Sequence, residues 1–537
     1  MVLSRVLRSL VAPLGLGAGL MYRRHARADA VPVLSRADVS RRARERDGPV
    51  LVTVRDRVYD VTDVVESHPG GREKLLLASG GAVEPFWNVY RTHYTSPAVQ
   101  AMLSGRCVGV LAAGESHGGG GGGGGGGADS EDPYAREPAR SERLIVHSDK
   151  PCNAECPPSL HCDSWITPTP LWFVRHHHPV PHIDVSEWRL VVEGALFGAR
   201  APPALDMAAL KRLEKTSVVA TLQCGGNRRA EMNAVAATSG IGWGAGAVST
   251  ARWGGVRLRE YLGSLHPALR SVRAAERAGV RHVIFESADG VQASIPIQKA
   301  LDECGDVLLA YEMNDAPLPA DHGCPLRAIV PGHVGIRNVK WLTKIRLDAA
   351  EARGPWQRGI AYKGFSPNVT DFAAVDAESV LSIQETPVQS VIATPRDGDE
   401  IPDAGPGAVV EVAGWAWSGG GRGIARVDVS GDGGRTWHTA ELGAGSDQHP
   451  ARAWAWTFWR AAVPATPDST GAMRVCCRAT DAAYNVQPPT VAPFWNKRGL
   501  NNTAWHTIRL HAQEAKPRQA TASSPPPPSR VGGSGSR

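Results

Sequence analysis

Hydrophobic and polar positions divide the chain into regions of different character. Residues 141–378 mix short apolar runs, such as Val218 to Leu222 and His282 to Phe285, with patches at helical spacing, such as Leu258 to Leu265. Short strands interleaved with short helices are typical of a compact α+β domain. We therefore expect one α+β domain over residues 141–378.

The pattern changes to strand-like alternation in the region that follows, which we assign to residues 379–510. Glycine, aspartate and proline turns separate its candidate strands, with Asp432-Gly433-Gly434 as a plausible hairpin turn. The candidate strands are Val409 to Trp417, Ala425 to Ser430, Ala453 to Trp459 and Met473 to Ala479. This spacing predicts an antiparallel, immunoglobulin-like β-sandwich.

Two low-complexity segments bound these domains. Ten consecutive glycines, Gly118 to Gly127, lie inside residues 114–140, and such a run behaves as a flexible coil. Residues 511–537 contain Pro525 to Pro528 followed by glycine and serine, and we expect them to be disordered. The sequence thus predicts a separate N-terminal module on a flexible linker.

Composition is that of an ordinary soluble protein, since 42% of the 537 residues are hydrophobic and 21% are charged. The formal net charge is +6, but most of the excess lies in residues 1–36 and 511–537. Bulk charge therefore does not favour a nucleic-acid partner.

The first 28 residues have the composition of a mitochondrial targeting leader. They contain Arg5, Arg8, Arg23, Arg24 and Arg27 and no acidic residue. A secretory signal is the alternative, although the odd count of nine cysteines argues weakly against secretion. The apolar stretch within the leader, residues 10–21, is too short to span a bilayer, so we expect no transmembrane segment.

Cys224 is the most informative single residue. It follows the apolar run Val219 to Leu222 and precedes a glycine pair, with Arg228 and Arg229 close behind. Positive charge beside a thiol favours the thiolate, which is the form that acts as a nucleophile or as a ligand for a soft metal. A small buried apolar residue is an equally good interpretation of one cysteine considered alone.

Two histidines in residues 33–113 are candidate axial ligands for haem iron. His68 opens the tight turn His68-Pro69-Gly70-Gly71, and His93 follows 25 positions later. Together with Val58 to Thr62, this turn resembles the cytochrome b5 family. The resemblance implies a small α+β domain that holds a b-type haem between His68 and His93.

Three consecutive histidines, His176 to His178, invite a metal-site interpretation. Neighbouring side chains on an extended chain point to opposite faces, so we do not expect all three to bind one metal ion. Cys152, Cys156 and Cys162 lack a paired C-x-x-C unit, and we interpret them as surface or incidental thiols rather than a zinc site.

Several motifs of the central and C-terminal regions together resemble the sulfite oxidase family. They are Leu222 to Cys224, Gly226 to Arg229, Gly246 to Trp253, Asp321 to Gly323, Val330 to Gly332, Val339 to Leu342, Tyr362 to Pro367 and Tyr484 to Pro488. The resemblance runs from about residue 33 to residue 512. It implies a multidomain α+β enzyme with a haem domain, a molybdopterin-binding domain and a sandwich that forms a homodimer.

The resemblance also implies roles for particular residues. Cys224 would be the protein's ligand to molybdenum, and the substrate pocket would contain Arg175, Arg229, Trp243, Tyr362 and Arg498. The molybdopterin would be held by Phe173, Val174, Arg175, His176, His177, Asp289, His322, Arg327, Asn338, Val339 and Lys340. Two positions depart from the family pattern: Gly225 stands where alanine is more common, and His176 where a cofactor-contacting asparagine is more common.

The implied activity is oxidation of sulfite to sulfate, with electrons passing singly through haem b to cytochrome c in the mitochondrial intermembrane space. Two alternatives stay open at this point: a nitrate-reducing relative with the same central and sandwich domains, and a haem electron carrier without catalysis. The order of the modules favours sulfite oxidation, because the nitrate-reducing relatives carry their cytochrome module after the sandwich.

Overall fold

The computed structural model describes residues 31–43, 45, 48–68, 72–89, 92–112, 115, 134–372, 375–401 and 407–512. The predicted leader, the glycine run and nearly all of the predicted tail lie outside the described residues. The chain forms two compact units, one of Met1–Val65 with Ala78–Ser130, and one of Glu66–Leu77 with Glu131–Arg537. Within the described residues, no helix is long and apolar enough to cross a membrane.

The first unit is built on a four-stranded sheet with short helices. Its strands, in spatial order, are Val33–Leu34, Cys107–Leu111, Arg57–Asp60 and Leu51–Val54; the first pair is parallel and the others antiparallel. Its α-helices are Arg36–Ala43, Glu84–Val89, Thr92–Thr95 and Pro97–Leu103. Ser35 and Asp38 cap the first helix reciprocally, which explains where that helix begins.

Three sheets form the central part of the second unit. One contains Ile145–Asp149, Cys152–Glu155 and Val174–Arg175, and a second contains Gln292–Pro296, His282–Ser287, Leu342–Asp348 and Val191–Gly194. The third contains Ala316–Pro317, Leu308–Met313, Val248–Arg257 and Thr216–Gln223, with Arg327–Ile329 paired to Leu308–Met313. The α-helices of this unit are Arg72–Leu77, Met207–Lys211, Arg229–Asn233, Leu258–Leu265, Val272–Arg277 and Ile297–Leu301.

The main core of this central part lies between two of the sheets and the helix Leu258–Leu265. Phe285 and Ile345 from one sheet, Leu309 from another, and Leu258 and Leu262 from the helix all pack into it. Each of these side chains is fully buried, so these three elements share one apolar core. The expected compact α+β domain is confirmed.

The C-terminal part is a sandwich of two sheets. One sheet runs in the order Gln389–Thr394, Val409–Trp417, Thr457–Pro464, Glu441–Leu442, and the other in the order Glu400–Ile401, His506–Ala512, Ala472–Asp481, Ile424–Ser430, His438–Thr439. The strands are antiparallel as predicted, apart from the parallel pair of Glu400–Ile401 with His506–Ala512. The predicted hairpin turn at Gly433 and Gly434 is confirmed, because both residues have positive φ and connect two antiparallel strands.

One strand prediction is partly wrong for a reason that concerns the site. Residues 453–456 are not part of a strand, which begins only at Thr457. Trp454 and Trp456 are buried because they meet the central part of the unit: Thr221 N donates to Trp454 O (2.9 Å), and Trp456 N donates to Thr221 Oγ1 (2.8 Å). Burial at a domain junction therefore produced the apolar pattern that looked like a strand.

Residues 134–140, predicted as the end of the flexible linker, belong to the second unit and are held there by side-chain contacts. Arg140 binds Asp321, and Glu137 accepts a hydrogen bond from Val180 N (2.9 Å). Residues 134–140 are therefore part of the second unit rather than of the predicted linker.

Candidate active site

Cys224 lies immediately after the strand Thr216–Gln223, at the start of a tight turn. Its backbone N donates to Ala247 O (2.9 Å), and Asn227 N donates to Cys224 O (2.9 Å). The Asn227 side chain in turn accepts from Ala247 N (3.0 Å). The turn is thus fastened to the neighbouring chain segment, which fixes the backbone that carries the thiol.

The glycine that follows Cys224 lies in close contact with its neighbours. A Cβ at Gly225 would lie 2.9 Å from Val334 Cγ2 and 3.5 Å from Leu500 Cδ2. Replacing Gly225 by alanine would therefore disturb the packing, because Val334 occupies part of the space that the new methyl group would need.

The Cys224 side chain faces a pocket of about 750 Å³, part of which is open to solvent. Its lining combines aromatic rings with cationic and imidazole groups. The lining residues are Trp172, Phe173, Arg175, His176, His177, Leu222, Cys224, Gly225, Ser287, Asp289, Val291, Asp321, His322, Arg327, Gly335, Ile336, Asn338, Val339, Lys340, Trp341 and Tyr362.

Most of the residues predicted to hold the molybdopterin meet in this pocket. The exception is Val174, which packs with Leu144, Cys152 and Ala154 in a small buried cluster. The three consecutive histidines diverge: His176 contacts Asp321, His177 contacts Arg175, and His178 contacts Asp289 (3.2 Å). Their separate partners agree with the expectation that the three rings do not converge.

The residues present fit an anionic cofactor with a phosphate group. Arg327 is 5% exposed, and its Nε has no hydrogen-bond partner among the described residues, so one buried donor is available for a ligand. Burial lowers the pKa of Lys340 to about 7 and that of Arg327 to about 9. A buried anion would offset the desolvation of these cations.

The two arginines that follow Cys224 point in different directions. Arg228 is fully buried and binds Glu231 (2.6 Å) together with Ala504 O (2.8 Å) and Trp505 O (3.0 Å) of the sandwich. The prediction that both guanidiniums flank the thiol is therefore wrong for Arg228, which joins the Cys224 turn to the C-terminal domain.

Arg229 does remain near Cys224 and is held by backbone carbonyls. Its Nε donates to Gly499 O (3.0 Å), and its Nη1 donates to Ile241 O (2.7 Å). The guanidinium passes so close to Gly226 and Gly499 that a Cβ at either position would lie 2.5 to 2.7 Å from it. These glycines provide the space in which Arg229 is fixed.

Arg175, Arg229 and Arg498 surround Tyr362 with positive charge. Burial raises the pKa of Tyr362, and the charges of the three guanidiniums oppose that rise. Burial also lowers the pKa of Arg229 and that of Arg498, and repulsion from Arg175 adds to the effect on both. Arg498 donates to Ala361 O (3.3 Å), next to Tyr362, so the sandwich contributes directly to this part of the site.

Trp243 is completely buried and packs in the same cluster as Cys224. Its loop is held by Glu155, whose carboxylate accepts from Gly244 N (3.0 Å) and Gly246 N (3.2 Å) and also binds His147 (3.0 Å). Glu155 was not identified from the sequence, because a lone glutamate near cysteines carries no motif.

Arg140 and Asp321 were also missed as members of the site. Asp321 was visible only as the neighbour of His322 in a motif, and Arg140 stood at the end of a predicted linker. The interpretation of Cys152 and Cys156 as surface thiols is wrong: both are buried, and burial raises the pKa of Cys152 to about 11 and that of Cys156 to about 12.

The two candidate haem ligands fall in different units, His68 in the second and His93 in the first. His93 stacks on Trp87, with ring centroids 5.6 Å apart and an angle of 23°. His68 is half-buried and follows the 3-10 helix Thr62–Ser67. Their role as haem ligands stays a prediction.

Three family models match successive regions of the chain. They are the cytochrome b5-like haem/steroid binding domain over residues 35–112, the oxidoreductase molybdopterin binding domain over residues 177–356, and the Mo-co oxidoreductase dimerisation domain over residues 380–513. The matches therefore follow the order haem domain, molybdopterin domain, dimerisation domain.

Relatives resemble the chain over nearly its whole length. It is 44% identical to mitochondrial sulfite oxidase of Rattus norvegicus over 511 residues, which cover 93% of this chain and 88% of the relative. It is 46% identical to sulfite oxidase of Gallus gallus over 486 residues, covering 89% of this chain and all of the relative.

Among solved structures, the sulfane dehydrogenase SoxCD of Paracoccus pantotrophus shares the fold over 71% of this chain and 92% of its own, with a TM-score of 0.54 at 24% identity. The pocket geometry, the three domain matches and the identity to animal enzymes agree. The chain belongs to the sulfite oxidase family.

Proposed function

We propose that this protein is a sulfite oxidase that converts sulfite to sulfate and passes the electrons through a b-type haem. The observation that carries the proposal is the meeting of Cys224, Arg175 and Tyr362 in one pocket with the predicted cofactor-binding residues. Membership of the sulfite oxidase family supports the same activity.

Cys224 would hold molybdenum through its thiolate sulfur, and His322, Arg327 and Lys340 would hold the pterin and its phosphate. When bound, the molybdenum cofactor supplies two-electron oxidation and oxygen-atom transfer. Burial of the binding residues excludes water from the side of the pocket where the cofactor's charge is neutralised.

Arg175, Arg229 and Arg498 would bind the sulfite dianion. Several guanidiniums in a partly dry pocket offset the hydration that a small dianion loses on binding. Tyr362 would donate a hydrogen bond to the anion, because burial raises the pKa of its phenol and keeps the proton in place near neutral pH.

The haem would be held by His68 and His93 in the cytochrome b5-like region, and cytochrome c would be the final acceptor. A flexible segment around the glycine run would let the haem domain approach both the molybdenum site and the acceptor. The leader over residues 1–28 and the mitochondrial relatives support a mitochondrial location, and we place the enzyme in the intermembrane space. The match to a dimerisation domain supports a homodimer through the sandwich.

Cys224→Ser tests the proposal. The variant should lose sulfite-dependent reduction of cytochrome c almost completely, while its haem content and thermal unfolding stay close to those of the wild type. Cys156→Ser is the matched control, since Cys156 is equally buried but does not line the pocket, and it should keep its activity.

Activity of Cys224→Ser near that of the wild type would contradict the proposal. The two alternatives give other results. A haem carrier without catalysis would contain haem but no molybdenum, even when expressed in cells that make the cofactor. A nitrate-reducing enzyme would reoxidise its reduced haem on addition of nitrate and would not reduce it on addition of sulfite.

A further inference from the structure

His176 stands where the family more often has a cofactor-contacting asparagine, and both nitrogens of its ring are occupied by protein groups. The side chain is fully buried; Nε2 lies 3.0 Å from Asp321 Oδ1 and Nδ1 lies 2.8 Å from Lys340 Nζ. The ring also stacks on Trp341, with centroids 5.5 Å apart and an angle of 21°. No ring nitrogen is left to contact a cofactor directly.

The partners determine which nitrogen carries the proton. In its ammonium form Lys340 only donates hydrogen bonds, so Nδ1 then accepts from Lys340. The ring proton is then on Nε2, which donates to the Asp321 carboxylate. Burial, together with the charge of Lys340, lowers the pKa of His176 to about 3, so the ring is neutral in this arrangement.

Asp321 is itself fixed from the other side by Arg140. The guanidinium makes two parallel hydrogen bonds to the carboxylate, Nε to Oδ2 (3.0 Å) and Nη2 to Oδ1 (2.7 Å). Burial alone would raise the pKa of Asp321, but the hydrogen bonds from His176 and Arg140 outweigh it and hold the pKa well below its usual range. Asp321 is therefore a permanent acceptor for the His176 Nε2–H.

Lys340 is the end of this chain of contacts. Its three N–H groups are directed at His176 Nδ1 (2.8 Å), Asp321 O (2.9 Å) and Arg175 O (3.3 Å). An ammonium with three fixed acceptors has one position, and it presents a positive charge to the pocket. Loss of the His176 acceptor would leave a buried N–H without a partner and would favour the uncharged amine.

We propose that His176 is a positioning residue whose effect on the cofactor is exerted through Lys340. Arg140, Asp321 and His176 form a relay that holds the Lys340 side chain in place and favours its charged form against the effect of burial, which replaces the direct contact that an asparagine would make. The proposal rests on the proposed function, since it takes Lys340 to be a cofactor-binding residue.

A double-mutant cycle in the full-length enzyme tests the relay. His176→Phe keeps a flat ring against Trp341 but has no ring nitrogen, and Lys340→Met keeps the length of the side chain but has no charge. The measured quantity is the rate at which molybdenum is lost during dialysis, with molybdenum counted per haem.

His176→Phe should lose molybdenum about ten to a hundred times faster than the wild type, which is the effect expected from losing one charge-assisted hydrogen bond. The double variant should lose it no faster than Lys340→Met. If the two effects multiply instead, His176 contacts the cofactor independently, and the relay is overturned.

Two further variants separate this role from a general effect on folding. His161→Phe is the matched control, because His161 is an equally buried imidazole with its ring bound to Trp415, outside the pocket; it should retain molybdenum like the wild type. His176→Gln offers an acceptor to Lys340 and a donor to Asp321, so it should lose molybdenum more slowly than His176→Phe.

Equal rates of molybdenum loss from His176→Gln and His176→Phe would also overturn the relay. If His176→Phe does not fold, as judged by haem content and circular dichroism, His176→Leu, which also has no ring nitrogen, replaces it in the cycle. A wild-type protein that carries no molybdenum and does not oxidise sulfite would overturn the proposed function itself. If the wild type carries molybdenum and oxidises sulfite, but the effects of His176→Phe and Lys340→Met multiply in the double variant, only the relay is overturned.

Discussion

The polar and charged side chains in and around the pocket include two groups that are held by different kinds of partner. The ion-paired group consists of Arg140, Asp321, His176 and Lys340: Arg140 and His176 bind the Asp321 carboxylate, and Lys340 donates to His176 Nδ1 and to the backbone carbonyl of Asp321. The carbonyl-bound group consists of Arg175, Arg229 and Arg498, whose hydrogen bonds go to backbone carbonyls, the Asn153 side chain and His177. Within the described part of the chain, no carboxylate lies within ion-pair distance of these three guanidiniums.

The difference fits the role proposed for each group. A carboxylate in the carbonyl-bound group would neutralise the charge that a sulfite dianion requires, and the anion would then have to compete with it. Backbone carbonyls orient a guanidinium without cancelling its charge. In the proposed function, the ion-paired group would hold a long-lived cofactor, where internal neutralisation fixes the geometry, while the carbonyl-bound group would stay cationic for a substrate that comes and goes.

The largest expected effect concerns the ion-paired group. Asp321→Ala should lower the free energy of unfolding by about 3–5 kcal/mol, because the buried His176 Nε2–H loses its acceptor and Arg140 keeps only Glu137 as a carboxylate partner. Thermal unfolding followed by circular dichroism measures the loss, and the double variant Asp321→Ala with Arg140→Met should regain part of it. Glu441→Ala, which breaks the exposed pair with Arg460, should change the unfolding temperature little. An Asp321→Ala protein as stable as the wild type would show that the Asp321 carboxylate does not stabilise the ion-paired group, and the contrast with the carbonyl-bound group would then fail.

A smaller effect on stability, with a large one on substrate binding, is expected in the carbonyl-bound group. Arg498→Met should raise KM for sulfite about ten- to a hundredfold, because one charge-assisted contact to the dianion is lost. The unfolding temperature should stay the same or rise, since repulsion from Arg175 is relieved. Arg140→Met should show the opposite pattern, with lower stability and a smaller change in KM. A stability loss in Arg498→Met without a change in KM would show that the carbonyl-bound group is structural.

The smallest effect, counted over stability and activity together, is expected at the turn that carries Cys224, which lies near both groups. Gly225→Ala should reduce the free energy of unfolding by about 1–3 kcal/mol, because the new methyl group would meet Val334 at 2.9 Å. Gly423→Ala is the control, since its new Cβ would have ordinary contact with Ala453 at 3.7 Å. Equal unfolding temperatures for the two variants would mean that the turn adjusts freely and that Gly225 is not required there.

Much of the fold and part of the site could be predicted from local patterns. The helix Leu258–Leu265 and the strand Val409–Trp417 have the predicted bounds, because each buries one regular face against its own domain. Residues 453–456 could not be predicted correctly, since the surface that buries Trp454 and Trp456 belongs to another part of the chain. The contact of Arg140 with Asp321 could not be predicted for the same reason, since the two residues are 181 positions apart in the chain.

The sequence by itself determined that a cysteine follows an apolar strand and opens a glycine turn, and that two arginines come soon after it. Strand periodicity and turn chemistry are local properties, so they are readable without the fold. Only the tertiary structure decided that Arg228 binds the carbonyls of Ala504 and Trp505 while Arg229 stays beside Cys224. Adjacent side chains diverge, and the partners that give each of them its role are brought together only when the sandwich packs against the Cys224 turn.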